Sequence, residues 1–193
     1  IRDLVRSRGL GDVYKRQDYG LSYLARHLYA LRDSPTYRRE LYGLLCETFM
    51  HAKRVRTGSN RAFAGDVGLA IQVAESEPEP NLVQVVRGGL LFSTLGSMAT
   101  QISPEVLALL ARLGRVSEAE DYAALIQVKE QQAEAYTRIA EVLLEDGDEA
   151  GACRLAKLGA DAALAVGDTS NRDGALSIVL PVLARCGGAD QAL

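Results

Sequence analysis

The side chains that can act as acids, bases or nucleophiles are few in this chain and lie far apart. The two histidines, His27 and His51, have no serine or cysteine near them in a recognisable nucleophile motif. His27 falls beside an apolar helical stripe, which favours a packed histidine over a catalytic one. The acids within residues 145–149 cluster at a predicted turn, where helix capping and hydration account for them. We therefore predict that this chain is not an enzyme.

Metal and cofactor sites also lack their usual residue patterns. The three cysteines, Cys46, Cys153 and Cys186, are far apart and set among apolar residues, which predicts buried free thiols in a reducing compartment. Their spacing fits no zinc-ligand pattern, and the phosphate-binding sequence G-x-x-x-x-G-K-[ST] does not occur. We expect no metal, no cofactor, no signal peptide and a cytoplasmic location.

The composition predicts a globular, all-α protein. Hydrophobic residues make up 48% of the 193 residues and charged residues 24%, and alanine and leucine dominate over β-branched runs. Because no uninterrupted apolar run is long enough to span a bilayer, we expect no transmembrane helix. Residues 18–64 carry a net charge of +4 and residues 65–193 a net charge of −10, so the two regions are oppositely charged.

Residues 1–17 do not read as part of a folded protein. The string DVYKRQ at residues 12–17 is encoded by GAT GTG TAT AAG AGA CAG, which resembles the transposase end sequence used to build sequencing libraries. The first three residues, IRD, match another frame of the same DNA. We expect residues 1–17 to be a disordered adapter product, and the remainder to be a translated bacterial metagenomic fragment that is open at its start and stops early.

Residues 18–101 are predicted to form a helical lead-in segment. Apolar spacing indicates helices over residues 18–32, 40–55 and 66–75, with a polar, basic loop over residues 53–61. Residues 82–99 are largely apolar around a Gly-Gly pair, which predicts a well-buried helix. Its expected core side chains are Leu91, Phe92 and Met98.

Residues 102–193 carry a repeated hairpin pattern. Gly114, Gly147 and Gly187 each follow an apolar stripe and are 33 and 40 residues apart. Glycine supplies the positive φ of a tight interhelical turn, and an alanine five residues later lets paired helices approach closely. Asp148 is placed to cap the second helix of the middle hairpin. The stripes are Val106, Leu107 and Leu110; Ile139, Ala140 and Leu143; and Val179, Leu180 and Leu183, and the alanines are Ala119, Ala152 and Ala192.

The middle hairpin resembles the tetratricopeptide repeat, whose period is about 34 residues. This resemblance implies an α-solenoid of irregular tetratricopeptide-like helical hairpins over residues 102–193. The chain departs from the pattern where Pro181 falls inside a first helix, which we expect to kink there. The key positions of the repeat are occupied by Tyr136, Ile139, Ala140, Leu143, Gly147, Ala152 and Ala156.

In tetratricopeptide-like arrays the first helices line the concave face, so the resemblance also implies a partner groove. A solvated outer face is the alternative reading of the same side chains. The groove candidates are Arg112, Glu134, Thr137, Glu141, Glu145 and Arg185.

Residues 18–74 contain a second set of helix-surface motifs. They are Tyr23, then Arg26-His27-Leu28, then Leu41-Tyr42 with Leu44-Leu45, then Phe49 and Ala52-Lys53. This order is similar to the segment that follows the winged-helix part of STAND signalling NTPases and precedes their repeat sensor. The resemblance implies a sensor arm that detects a ligand or partner and relieves inhibition of an NTPase lying outside these residues.

The first functional hypothesis is therefore a non-catalytic scaffold or sensor segment that binds proteins or other domains of its own chain. The alternative is a regulatory or docking helical domain of an unrelated enzyme. A third and weaker alternative is nucleic-acid binding by the basic residues at 53–61, which we do not expect because no aromatic residues are interleaved with them. We expect no membrane partner, and the sequence does not indicate an oligomeric state.

Overall fold

The computed structural model describes residues 10–186, with side chains from Tyr19 onward, and this span is all-helical, with ten α-helices and no strand. The all-α prediction is confirmed. The helices are α1 (Leu10–Ala30), α2 (Pro35–Gly43), α3 (Glu47–Thr57), α4 (Arg61–Ser76), α5 (Leu82–Thr100), α6 (Pro104–Arg112), α7 (Val116–Leu125), α8 (Lys129–Glu145), α9 (Glu149–Leu164) and α10 (Thr169–Arg185).

The chain divides into two compact units, Ile1–Ser93 and Thr94–Leu193, which we call unit 1 and unit 2. The division falls within α5, whereas the sequence suggested a boundary at residue 101. Unit 1 therefore contains α1–α4 with the first half of α5, and unit 2 contains the end of α5 with α6–α10.

The first helix begins earlier than the sequence indicated. We expected disorder over residues 1–17, but α1 begins at Leu10, so residues 10–17 are helical. Residues 12–17 contain neither proline nor glycine, and each residue added to an existing helix gains a backbone hydrogen bond. Residues 1–9 lie outside the described part of the chain.

Unit 1 is built around the apolar faces of α1, α2 and α4. Leu41, Phe63 and Val67 are fully enclosed there. A salt bridge between the Lys53 ammonium of α3 and the Asp66 carboxylate of α4 lies inside the unit, with 4% and 8% of the two side chains exposed. Because burial of an unpaired charge is costly, these two side chains must remain together in the folded state.

The basic loop predicted over residues 53–61 is mostly helical. Helix α3 extends to Thr57, where Gly58 adopts a φ of 81° and ends it, and α4 begins at Arg61. Lys53 is buried against Asp66 and does not face solvent. The polar composition that suggested a loop reflects the exposed side of a helix end.

Helix α5 differs most from its prediction. It was expected to be well buried, yet Leu82, Val83, Val86 and Leu90 are each 60–73% exposed. These four side chains, which we call the α5 patch, lie on one side of the helix, and Gly88 on the opposite side packs against Ile71. Apolar composition predicted burial on all sides, but the side of α5 that carries the α5 patch is exposed. Phe92 and Met98, expected in the core, are both 46% exposed.

Helix α5 is also relevant to the expectation that the chain has no transmembrane helix. It is the one helix of the described residues that is long and apolar enough to cross a bilayer by length and composition. Arg87 lies within it, and its Nη2 donates to the carbonyl oxygen of Leu45 at 2.5 Å. This hydrogen bond connects α5 to the segment that follows α2.

Unit 2 contains two hairpins, α6–α7 and α8–α9, whose turns have the same hydrogen bonds. Gly114 and Gly147 adopt φ of 74° and 84°. The N–H of Arg115 donates to the carbonyl of Leu110 at 3.0 Å, and the N–H of Asp148 donates to the carbonyl of Leu143 at 2.8 Å. Each glycine thus takes the left-handed conformation that closes a helix end, as the sequence predicted.

Small side chains let the helices of unit 2 pack closely. Ala119, Ala140 and Ala152 are fully buried between helices. At Gly159 of α9, a Cβ atom would lie 3.2 Å from the Thr137 hydroxyl oxygen and 3.3 Å from the Ala133 carbonyl oxygen of α8. A Cβ atom at this position would be closer to α8 than most Cβ atoms are to their neighbours, so glycine favours this approach of α8 and α9.

The predicted helix starts in unit 2 are confirmed. Helix α6 begins at Pro104 after Ser103, and the Asp148 carboxylate accepts from the Gly151 N–H at 2.9 Å at the start of α9. Helix α10 continues through Pro181 to Arg185. The third predicted turn at Gly187, and Ala192 after it, lie outside the described residues.

Candidate interaction surface

Helices α6 and α8 lie side by side and present a common solvent-exposed surface. Nη2 of Arg112 on α6 is 3.2 Å from Oε2 of Glu145 on α8, and both side chains are more than half exposed. This ion pair brings together two of the sequence-predicted groove residues. Because both groups are exposed, it positions them while adding about 0–1 kcal/mol to stability.

A row of charges continues along α8. Arg138 lies between Glu134 and Glu141, with nitrogen–oxygen distances of 3.4 and 3.6 Å. The pKa of Glu105, at the start of α6, is lowered by a hydrogen bond from Ser103, by its own backbone N–H and by the nearby positive charge of Arg138. Arg138 therefore faces the acids of both helices.

An apolar side chain lies among these charges. Leu109 is 55% exposed and falls between Glu105 and Arg112 at the spacing that places residues on one side of a helix. We call the surface formed by these residues the α6–α8 face. It consists of Glu105, Leu109 and Arg112 on α6 and Glu134, Arg138, Glu141 and Glu145 on α8.

The structure corrects one groove candidate. Thr137 is completely buried, and its hydroxyl donates to the Ala133 carbonyl at 2.8 Å within α8. It faces Gly159 of α9, so it supports the contact between the two helices and cannot contact a partner. The repeat register predicted the helix correctly but assigned Thr137 to the wrong side, because the close approach of α9 covers that position.

The remaining candidates divide into two groups. Arg112, Glu134, Glu141 and Glu145 lie together on the α6–α8 face. Arg185 is exposed in the last turn of α10 and is not among the ion pairs of that face.

Sequence reasoning missed Glu105, Leu109 and Arg138. The spacing of Arg138 from Glu134 and Glu141, at i+4 and i−3, was a readable signal for an ion-pair row.

Helices α7 and α9, the second helices of the two hairpins, are joined by another ion pair. Arg154 of α9 donates to the two carboxylate oxygens of Glu120 of α7 through Nη1 and Nη2, at 2.7 and 2.8 Å. This two-point contact holds the pKa of Arg154 above its ordinary value. Glu120 is only 18% exposed, so this pair contributes to the packing of the two hairpins rather than to an open surface.

The other candidate chemical groups do not assemble into a site. His27 is exposed, where we expected a packed residue, and its Nε2 is 2.6 Å from the Tyr19 hydroxyl. Cys46 is exposed, and Cys153 and Cys186 are partly exposed, so the expectation of three buried thiols is wrong. Among residues 19–186 no group of three or more histidines, cysteines or acids is placed to hold a metal ion.

Comparison of this chain with protein-family models, with curated proteins and with solved structures finds no match in any of the three.

Proposed function

We propose that this chain is a non-catalytic scaffold or sensor segment that binds protein, and that unit 2 is an irregular tetratricopeptide-like array forming part of an α-solenoid. The equal turns at Gly114 and Gly147 support the array, because their backbone hydrogen bonds recur 33 residues apart. The ion pairs Arg112–Glu145 and Glu120–Arg154, at separations of 33 and 34 residues, join equivalent helices of the two hairpins.

The observation that carries the binding proposal is the α6–α8 face. It combines one exposed leucine with four glutamates and two arginines, so its charge is negative overall. In a protein contact at this face, the leucine would supply apolar contact area and the charges would supply orientation. The chemistry of the face fits a peptide or helix that carries basic side chains next to an apolar one.

Panning a phage-displayed library of random peptides against the purified chain tests this proposal. We expect enriched peptides that combine lysine or arginine with a large apolar residue. Replacing Glu141 and Glu145 with lysine should weaken their binding roughly tenfold, because each reversal turns an attraction into a repulsion. The loss should shrink at high salt.

A matched control separates this site from the overall charge of the protein. Asp161 on α9 and Asp173 on α10 are exposed and outside the α6–α8 face. The double variant Asp161→Lys and Asp173→Lys changes the net charge by the same amount and should leave binding within about twofold. Enriched peptides that bind both double variants equally, or a library that yields none, would overturn the proposal.

We further propose that the scaffold belongs to a STAND-like signalling protein, on the strength of the motif order over residues 18–74. The alternative is a docking domain of an unrelated enzyme. Sequencing the source DNA on both sides of this reading frame distinguishes them: a nucleotide-binding domain upstream supports the sensor, and a different catalytic domain supports the alternative. The same experiment tests the adapter origin of residues 1–17.

A further inference from the structure

Two of the three cysteines lie at a contact between the last two described helices of unit 2. Cys153 is in the second turn of α9, and Cys186 directly follows the last turn of α10. The two helices pack against each other through side chains of one hydrophobic cluster that includes Ala152, next to Cys153, and Val182, one turn before Cys186. Cys186 itself packs against that cluster.

The two thiol groups are neighbours across this contact. Partial burial raises the pKa of Cys186, and the proximity of Cys153 and a hydrogen bond between the two side chains raise it further. The positive charge of Arg185 lowers the pKa of Cys186, and the negative charge of Glu149, which lies one turn before Cys153, raises it. Both sulfur-bearing side chains are partly exposed, so a small oxidant has access to them.

We propose that Cys153 and Cys186 form a reversible intramolecular disulfide when the protein meets a peroxide. The thiolate of one of the two cysteines attacks one peroxide oxygen, the O–O bond breaks, and a sulfenic acid and water form. The sulfur of the other cysteine then attacks the sulfenic sulfur, its proton leaves with the hydroxyl as a second water, and the S–S bond closes. Both thiols are oxidised and one peroxide is reduced to two waters. A dithiol reductant reverses the change by thiol–disulfide exchange.

The disulfide would join the end of α10 to the beginning of α9. It would close the chain between residues 153 and 186, which includes most of both helices. Closing a loop of this length restricts the unfolded chain. The thermal midpoint of the protein should then rise by roughly 10 °C on oxidation and fall back on reduction.

Intact-mass measurement on the Cys46→Ser variant, treated with hydrogen peroxide, tests the proposal. Cys46 is exposed and belongs to unit 1, so its removal suppresses bonds between molecules without touching the pair. We expect a mass decrease of about 2 Da, one peptide linking Cys153 to Cys186, and restoration of the mass by a dithiol. Adding Cys153→Ser or Cys186→Ser should abolish the linked peptide.

A gain of oxygen on either cysteine without a linked peptide would overturn the proposal, as would linkage only between molecules. A folding defect in one serine variant does not affect the test, because the linked peptide and the mass decrease are measured on the chain that retains both thiols. Peptide binding at the α6–α8 face is a separate measurement, so its failure would leave the disulfide result standing.

Discussion

Units 1 and 2 are both helical, yet different contacts hold them together. Unit 2 is packed mainly by small apolar side chains, so that α8 is enclosed by its neighbours along most of its length. In unit 1, charged and hydroxyl side chains also make buried or partly buried contacts between its elements. Its Lys53–Asp66 pair is buried, the Tyr42 hydroxyl donates to Glu77 at 2.6 Å, and Arg87 donates to the Leu45 carbonyl. Meanwhile the α5 patch of unit 1 stays in solvent.

The difference shows that apolar content does not by itself decide which helix is buried. Helix α5 contains a single charged residue, whereas α8 carries charges along one side. Nevertheless α8 is the better enclosed helix, because its alanines let α6, α9 and α10 approach. In α5 the side around Gly88 packs against Ile71, whereas the α5 patch is exposed.

The largest effect on stability is expected from breaking the buried Lys53–Asp66 ion pair of unit 1. Replacing Lys53 with methionine leaves the Asp66 carboxylate buried without its partner. The free energy of unfolding at neutral pH should fall by about 3 kcal/mol. Hydrogen exchange of peptides from α3 and α4 measures this loss locally, and unit 2 peptides serve as the internal control.

The pH dependence of the stability of the Lys53→Met variant is a second test of the Lys53–Asp66 ion pair. Burial raises the pKa of Asp66 above 3.8, and Lys53 opposes that rise. A carboxyl with a raised folded pKa binds its proton more tightly in the folded state, so its contribution to stability is full below the unfolded pKa and is lost as pH rises through the folded pKa. Without Lys53 the folded pKa rises further, so the variant should lose more stability than the wild type between pH 4 and 7. Equal loss of stability in both proteins would contradict a role for Lys53 as the counter-charge of Asp66. Adding Asp66→Leu to the variant removes the unpaired carboxylate and should recover part of the stability.

Matched leucine substitutions compare the two helices directly. Leu143 of α8 is 5% exposed, and Leu90 of α5 is 66% exposed. Leu143→Ala should lower the free energy of unfolding by about 3 kcal/mol, because a buried cavity remains, whereas Leu90→Ala should change it by less than about 0.5 kcal/mol. Chemical denaturation followed by circular dichroism measures both values. A similar cost at the two positions would mean that α5 is covered in solution.

Matched glycine substitutions should give smaller effects of opposite sign. Gly159→Ala places a methyl group 3.2 Å from Thr137 and 3.3 Å from the Ala133 backbone, which should cost about 1 kcal/mol. Gly89 of α5 has open space around its Cβ position, so Gly89→Ala should stabilise the helix by roughly 0.5–1 kcal/mol. Thermal unfolding measures the two shifts, and stabilisation by Gly159→Ala would show that α8 and α9 lie farther apart than the structure places them.

The sequence predicted the local features of this fold well. The start of α6 at Ser103-Pro104, the cap at Asp148 and the turns at Gly114 and Gly147 each depend on a few adjacent residues with strong conformational preferences. The beginning of α1 was missed, because helix extension through residues 10–17 required no capping signal.

Long-range features could not be predicted in the same way. Whether Thr137 faces a groove or a helix depends on the approach of α9, and Gly159, which permits that approach, is 22 positions away in the sequence. The burial of Lys53 likewise depends on Asp66 in the next helix. Of the candidate surface, the charged residues of α8 were predictable from spacing, but their pairing with α6 required the packing of the two hairpins.

The equal turns at Gly114 and Gly147 have a consequence for how such a chain can evolve. Each turn is closed by the same backbone hydrogen bonds, and the helices on either side meet through small side chains. The segment between the two glycines therefore begins and ends at equivalent points of the backbone. Under the proposed repeat array, we expect recombination that duplicates or deletes this 33-residue segment to join one such turn to the other, so that the gene lengthens or shortens by whole hairpins with the same connection.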